Sequence, residues 1–219
     1  MRAIAWVKDR GAEFAEVDLA AARLRATGVA VGGDPVPYRL EYELDCGDGF
    51  ITRRLSVRAW GAGWGRRLEL ARDLAGEWSV DADADGEAEL LGLPGVPGSP
   101  PPGGDPAGFA AALDCDLGLS PLTNTMPVLR HGLLDGGGPV EFLMAWVSVP
   151  WLAVTPSVQL YTHLRRGTAG ELGVTPAADE GRAGGTLSLI RFQSGDFSED
   201  VAFDAQGLVV DYPDIGRLA

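Results

Sequence analysis

Lysine is almost missing from this sequence: Lys8 is the only one, and every other basic side chain is an arginine. Cations are scarce as a class, with 18 Lys and Arg against 31 Asp and Glu, leaving a formal net charge of −13. Phosphates are neutralised by clustered Lys and Arg, so this balance argues against a nucleic-acid partner. It equally disfavours docking on anionic lipid surfaces. The acidity is spread along the chain and reads as solubility. Cysteine is scarce too. Cys46 and Cys115 can form one disulfide at most, and two thiols in a reducing compartment are the expectation for a chain of 219 residues. The two histidines, His131 and His163, stand apart from each other and from the cysteines, without zinc-ligand spacing. Long apolar runs are absent as well. The longest, Phe142 to Val154, is broken by Ser148 and Pro150 and falls short of the ~20 residues of a membrane helix. The first residues, MRAIAWVKDRGAEF, hold no signal-peptide core. The expectation is a cytoplasmic protein with no integral membrane segment, no metal and no other cofactor.

What the sequence does have is strands. VPYRLEYEL (36–44) alternates, with Tyr38, Leu40, Tyr42 and Leu44 on one side and Arg39, Glu41 and Glu43 on the other. FITRRLSVRAW (50–60) follows across a Gly-Asp-Gly link, as in an antiparallel hairpin with one wet face. RRLELARDL continues the pattern, and GEWSVDADADGEAELL reads as two short strands about an Asp-Gly turn. Further strand signals are MPVLRHGLL, VEFLMAWVSV, SVQLYTHL, TLSLIRF, DVAFDA and LVVDYP. The single helix candidate is DLAAARLRAT (18–27), which also fits a strand followed by a loop. Pro- and Gly-rich residues 91–108 and small polar residues 165–185 read as long surface loops within one domain spanning 1–219.

Several motifs imitate chemistry. Asp81, Asp83, Asp85 and Gly86 mimic the opening of a calcium loop, but Gly92 stands where the closing Glu belongs, so a charged hairpin turn is the better reading. Gly61, Gly63 and Gly65 precede a strand pattern, not the helix of a dinucleotide site. No G-x-S-x-G elbow is present, and alternation buries Cys115 with Asp114 and Asp116 pointing the other way. These two carboxylates form a solvated face, anchor the next turn, or act as acid and base with His131. Thr123-Asn124-Thr125, between Pro121 and Pro127, makes a rigid turn from side chains that bond their own backbone. Read functionally, Asn124 and Arg130 project at the mouth of an apolar hollow. Gln159 and Tyr161 share a strand face with Ser157 and His163, as a polar lining would.

Three blocks resemble the glycolipid-binding family of bacterial proteins. The first is Leu113-Asp114-Cys115-Asp116-Leu117 with Ser120-Pro121-Leu122-Thr123-Asn124-Thr125-Met126-Pro127-Val128-Leu129-Arg130. The second runs from Val149-Pro150-Trp151 to Gln159-Leu160-Tyr161, and the third is Phe203 to Pro213, FDAQGLVVDYP. Trp6, the Tyr38–Arg54 hairpin and Gly76-Glu77-Trp78 are weaker echoes. His131 departs from the pattern, where a second Arg is usual, and the two loops are longer. The resemblance implies an all-β fold with little helix: a single curved antiparallel sheet rolled into a spiral or half-barrel, similar to bacterial lipoprotein carriers. It implies non-catalytic binding of a small amphiphile, such as a glycolipid, in an apolar hollow. Asn124, Arg130, Gln159 and Tyr161 would meet the head group, with Thr123 and Asp116 beside them. The alternatives are a hydrolase or isomerase using Asp114, Asp116 and His131, and a protein-interaction module.

Overall fold

The computed structural model describes residues 1–86, 100–174 and 185–219. It is 58% strand and 10% helix. The first strands are β1 (Arg2–Lys8), β2 (Gly11–Ala20), β3 (Arg23–Gly32), β4 (Tyr38–Cys46), β5 (Thr52–Gly61), β6 (Trp64–Arg72) and β7 (Trp78–Gly86). Then come β8 (Asp114–Leu117), helix α1 (Thr125–Arg130), β9 (Val140–Val147), β10 (Val154–Gly167) and helix α2 (Ala169–Leu172). The chain closes with β11 (Leu187–Ser194), β12 (Phe197–Phe203), β13 (Val209–Tyr212) and β14 (Gly216–Leu218). All fourteen strands form one sheet, ordered β7 to β1, then β14 down to β8. No helix among the described residues is long and apolar enough to cross a membrane.

Alternation dictates which face is buried. Trp6 on β1, Ala15 and Val17 on β2, Leu24 and Ala26 on β3, and Leu40, Tyr42 and Leu44 on β4 point inward, while Arg and Glu residues of β3 to β5 point to solvent; on β6 Arg66 is buried. On β3 the inward positions include Gly28, where a Cβ would lie 2.2 Å from the Tyr42 ring. The sheet is curved and not closed into a barrel. Its edge strand β8 returns beneath β5: Thr52 N donates to Leu113 O (3.1 Å), and Thr52 Oγ1 accepts from Cys115 N (3.1 Å). Trp78 Nε1 donates to Ala112 O at 3.0 Å, and the Trp78 ring meets Phe109 edge-on.

Helix α1 is a wedge between two cores. Leu122 and Met126 belong to the larger core with Leu24, Leu55 and Leu68. Val128 belongs to a second core with Phe142, Tyr161, Phe192 and Phe203. Both cysteines are free and buried in the larger core, where Cys46 Sγ lies 3.0 Å from Met126 Sδ.

The structure corrects several expectations. DLAAARLRAT is no helix; it is the end of β2, a turn at Ala21 and Ala22, and the start of β3, with Leu19 opposite Leu24. The Ala-rich propensity yields to pairing because Leu24 and Ala26 alternate with Arg23, Arg25 and Thr27 at strand period. MPVLRHGLL, expected as a strand, contains α1 instead. Leu122, Met126 and Leu129 recur at helical spacing, and Pro127 sits in the first turn, where its missing N–H is tolerated. The sheet is not wholly antiparallel, for β8 and β9 run parallel. A parallel pair needs a crossover between its strands, and residues 118–139, with α1, provide it. Asp81, Asp83 and Asp85 lie on β7 and not in a hairpin turn, and Arg67 pairs with Asp81. The expected second strand after Gly86 lies outside the described residues, as do residues 91–99 of the expected loop at 91–108. Of the expected loop at 165–185, Arg165 to Gly167 continue β10 and Ala169–Leu172 form α2, capped reciprocally by Thr168 and Glu171.

Candidate functional site

The turn after β8 is where the two cores meet. Asp116, near the end of that strand, accepts from Thr123 Oγ1 (2.7 Å) on one oxygen and from Gln159 Nε2 (2.6 Å) on the other. The carboxylate thereby fixes the Gln159 amide with Oε1 towards Tyr161. The Tyr161 hydroxyl reaches Asn124 Oδ1 (2.9 Å) and Gln159 Oε1 (3.1 Å). Asn124 Nδ2 donates to Pro121 O at 3.3 Å. Five of the residues singled out in the sequence, Asp116, Thr123, Asn124, Gln159 and Tyr161, therefore form one hydrogen-bonded network. Burial raises the Asp116 carboxyl above its ordinary range, against the two donors that stabilise its charge, and holds the Tyr161 hydroxyl well above its usual value.

Arg130 lies beside this network rather than in it. Both Nη groups bond the Asp114 carboxylate as a fork, one at 2.7 Å, and the guanidinium lies over the Phe142 ring, 5.8 Å from its centroid. Its Nε has no partner among the described residues. Burial pushes the Asp114 carboxyl up, and the Arg130 fork opposes it. His131 meets Phe142 edge-on at 4.8 Å; burial and then Arg130 lower its pKa. Asp114 and Asp116 share a strand face, as expected: Asp114 is buried and clamped by Arg130, and Asp116, half-buried, anchors the Thr123 turn. Burial raises both thiols, Cys115 to about 12 and Cys46 well above its ordinary value.

Asp116, Asn124 and Gln159 form the floor of an open cleft of about 570 Å³. Trp146 on β9, Trp151 in the turn to β10, Phe192 on β11, Phe197 on β12 and Tyr212 on β13 line its walls. Ser148, Ser157 and Ser194 add hydroxyls, and Asp34 stands at the rim. Ser157 and Ser194 bond each other at 3.1 Å, and Ser148 Oγ donates to Ala153 O at 3.2 Å. Thr123, Tyr161, Arg130 and His131 are not part of the lining. On β10 the pattern is inverted: Gln159 and Tyr161 are buried while Val158 is 54% exposed. That polar face turned inward is the signal that singles out Gln159.

Leu119, with its backbone in the left-handed region (φ 63°), closes one side of the cleft. Its carbonyl accepts from Lys8 Nζ at 2.6 Å, and the same ammonium bonds Glu13 Oε2 at 2.7 Å. Glu13 Oε1 accepts from Ser120 Oγ (2.6 Å) and Tyr42 Oη (2.9 Å). The sequence reading missed this buried cluster and the aromatic walls. The trace it leaves is the solitary lysine and a glutamate in register with Ala15 and Val17.

The comparisons with known proteins agree with this fold. A crystal structure of a DUF1089 family protein from Pseudomonas aeruginosa superposes with a TM-score of 0.60 at 23% identity, covering 94% of this chain and 91% of that one. At that identity the likeness concerns the fold alone. Among curated proteins none matches the chain. The family model described as "Putative glycolipid-binding" matches residues 3–217. With nearly the whole length matched, the chain belongs to that family.

Proposed function

We propose that the protein binds a single small amphiphile in the cleft above Asp116, without chemical conversion. The observation that carries this reading is the cleft itself. Aromatic walls lead to a short polar floor whose geometry is fixed from behind by Thr123 and Tyr161. Ligand sites of this kind are mostly apolar with a few placed polar groups, and Trp and Tyr offer an apolar face with a polar handle. The family's description supports a glycolipid as the ligand class. In this reading Asp116, Asn124 and Gln159 meet the head group and the apolar tail lies along the walls. Arg130 holds Asp114 and Phe142 in place behind the floor, since Asp114 takes both of its Nη groups. Residues 1–219 act as one cytoplasmic domain, through which a single sheet runs.

Native mass spectrometry of gently purified protein, followed by solvent extraction, tests the reading. The expected result is a one-to-one amphiphile adduct on the wild type. Ser157→Trp, which fills the middle of the cleft from β10, is expected to remove that adduct while the protein still melts cooperatively. An adduct that persists in a folded Ser157→Trp protein would place the ligand elsewhere.

A further inference from the structure

The solvent face of the sheet changes character between its strands. Outward positions on β4 and β5 are mostly charged, with Arg39, Glu41, Glu43, Arg54 and Arg58 among them. On β1 to β3 the same face turns apolar: Val7 is 56% exposed, Phe14 42%, Val29 48% and Val31 50%. These side chains are not scattered. Val7 pairs with Ala12 and Ala12 with Val31, while Ala5 pairs with Phe14 and Phe14 with Val29. They form two adjacent rows across the strands, two residues apart along each strand. The first row continues onto β4 as Arg39, opposite Val31, and the second as Glu41, opposite Val29. A contiguous exposed apolar patch rimmed by polar residues marks an interaction surface.

The two rows complement each other, and that selects the partner. Sheets stack face to face about 10 Å apart, with their strands within about 30° of each other. A two-fold axis lying between the rows and running across the strands exchanges them. Each residue of one row then meets the residue two positions away on the same strand of the other copy. Val31 meets Val29, the small Ala12 meets the large Phe14, and Arg39 meets Glu41. Apolar side chains face apolar ones, and the two rim charges face their opposites, as an isologous interface requires. An anionic lipid surface offers no such match, since it would repel Glu41 and a chain of net charge −13. We infer that this face is a self-association surface, joining two copies of the chain about a two-fold axis across β1 to β4. The aromatic walls of the cleft come from β9 to β13, so the inference does not depend on the ligand reading.

Sedimentation velocity of the full chain tests it, from about 1 µM to about 1 mM protein, the range of weak association, at ~0.15 M salt, where general repulsion is screened beyond about 8 Å. The expected result is a reversible monomer–dimer equilibrium. Val29→Glu is expected to weaken it ~10-fold or more, because the carboxylate is desolvated against an apolar row. Thr27→Glu adds the same charge to the same exposed face of β3, outside the two rows, and is expected to weaken it less than ~3-fold, as a screened charge does. The two-fold pairing has its own signature. Arg39→Glu sets carboxylates against carboxylates, and Glu41→Arg sets guanidinium groups against each other, so each variant alone is expected to dimerise poorly. Mixed in equal amounts, the two variants place opposite charges at both contacts, and the mixture is expected to recover the dimer. The wild-type equilibrium and this mixing experiment stand as tests even if Val29→Glu folds poorly. A wild type that stays monomeric throughout overturns the inference. So does a dimer that a folded Val29→Glu leaves intact, which places the contact elsewhere on the molecule. Charge variants that dimerise as well as the wild type, or that mixing fails to rescue, overturn the two-fold pairing of the rows.

Discussion

Lys8 shows how much one side chain decides here. Its ammonium is the counter-charge of Glu13, whose side chain is 1% exposed, and its second bond holds the Leu119 carbonyl at the cleft edge. Removing one partner of a buried ion pair leaves an uncompensated charge, which costs about 3–5 kcal/mol. Lys8→Met is expected to lose that much in urea unfolding. Adding Glu13→Leu is expected to recover part of it, because replacing both partners by apolar groups is close to neutral. A loss below about 1 kcal/mol for Lys8→Met would put the pair in the class of solvent-screened bridges. The glutamate's position is hard to read from GAEFAEVDLA. Glu13 and Glu16 fall on opposite faces, and Phe14, an apolar ring that would be expected inside, is 42% exposed. Asp116, Thr123, Asn124, Gln159 and Tyr161 stood out in the sequence through the polar turn, the polar face of SVQLYTHL and the family resemblance, and the fold joins them in one hydrogen-bonded network. Arg130 was expected to face the head group, but both of its Nη groups are taken by Asp114. Asp114 lies on another element, and only tertiary structure brings the fork together.

Among the elements, β8 is the weak point and the useful one. It is short, pairs in parallel with β9, and touches the opposite half of the sheet through Thr52. Thr52→Val keeps the shape and removes the hydroxyl, leaving the Cys115 amide without its buried acceptor. Such a loss costs about 1–3 kcal/mol. Hydrogen exchange is the direct readout: the Cys115 amide is expected to lose protection while amides in β2 and β3 change only with global stability. Equal loss everywhere would mean that β8 unfolds only with the whole sheet. Strands β4 to β6 were legible because Tyr38 to Leu44 and their neighbours alternate cleanly at period two, whereas the β2–β3 hairpin was not, its turn falling inside DLAAARLRAT. Neither was helix α1. It is only six residues long and its apolar side chains are divided between two cores, so MPVLRHGLL alone is too short to show a helical period, which needs Leu122 as well. The parallel pairing of β8 was equally hidden, because direction is set by the crossover through residues 118–139 and not by the four residues of the strand.

At the scale of the whole molecule, the −13 net charge and the buried carboxylates act on stability in the same direction. Asp114 and Asp116 are both held above the ordinary carboxylate pKa by burial. The folded protein therefore keeps these protons to higher pH than the unfolded chain, which releases them near the ordinary value of about 3.9. Between the two values the folded state binds more protons, so stability falls as pH rises through the folded pKa values and stays at the lower level above them. Self-repulsion of an acidic chain has the same sign, so the slope alone does not identify its source. A charge-matched pair of variants does. Asp116→Asn and Asp83→Asn remove the same formal charge, one from the floor of the cleft and one from an exposed position on β7. Melting temperature measured upward from about pH 4, the unfolded carboxylate value, is expected to decline for the wild type and for Asp83→Asn with similar slope, and to decline less for Asp116→Asn. Identical slopes for the two variants would assign the whole effect to general repulsion. A wild-type melting temperature that rises across the range would mean that the bonds from Thr123, Gln159 and Arg130 outweigh burial and keep both carboxylates ionised in the fold.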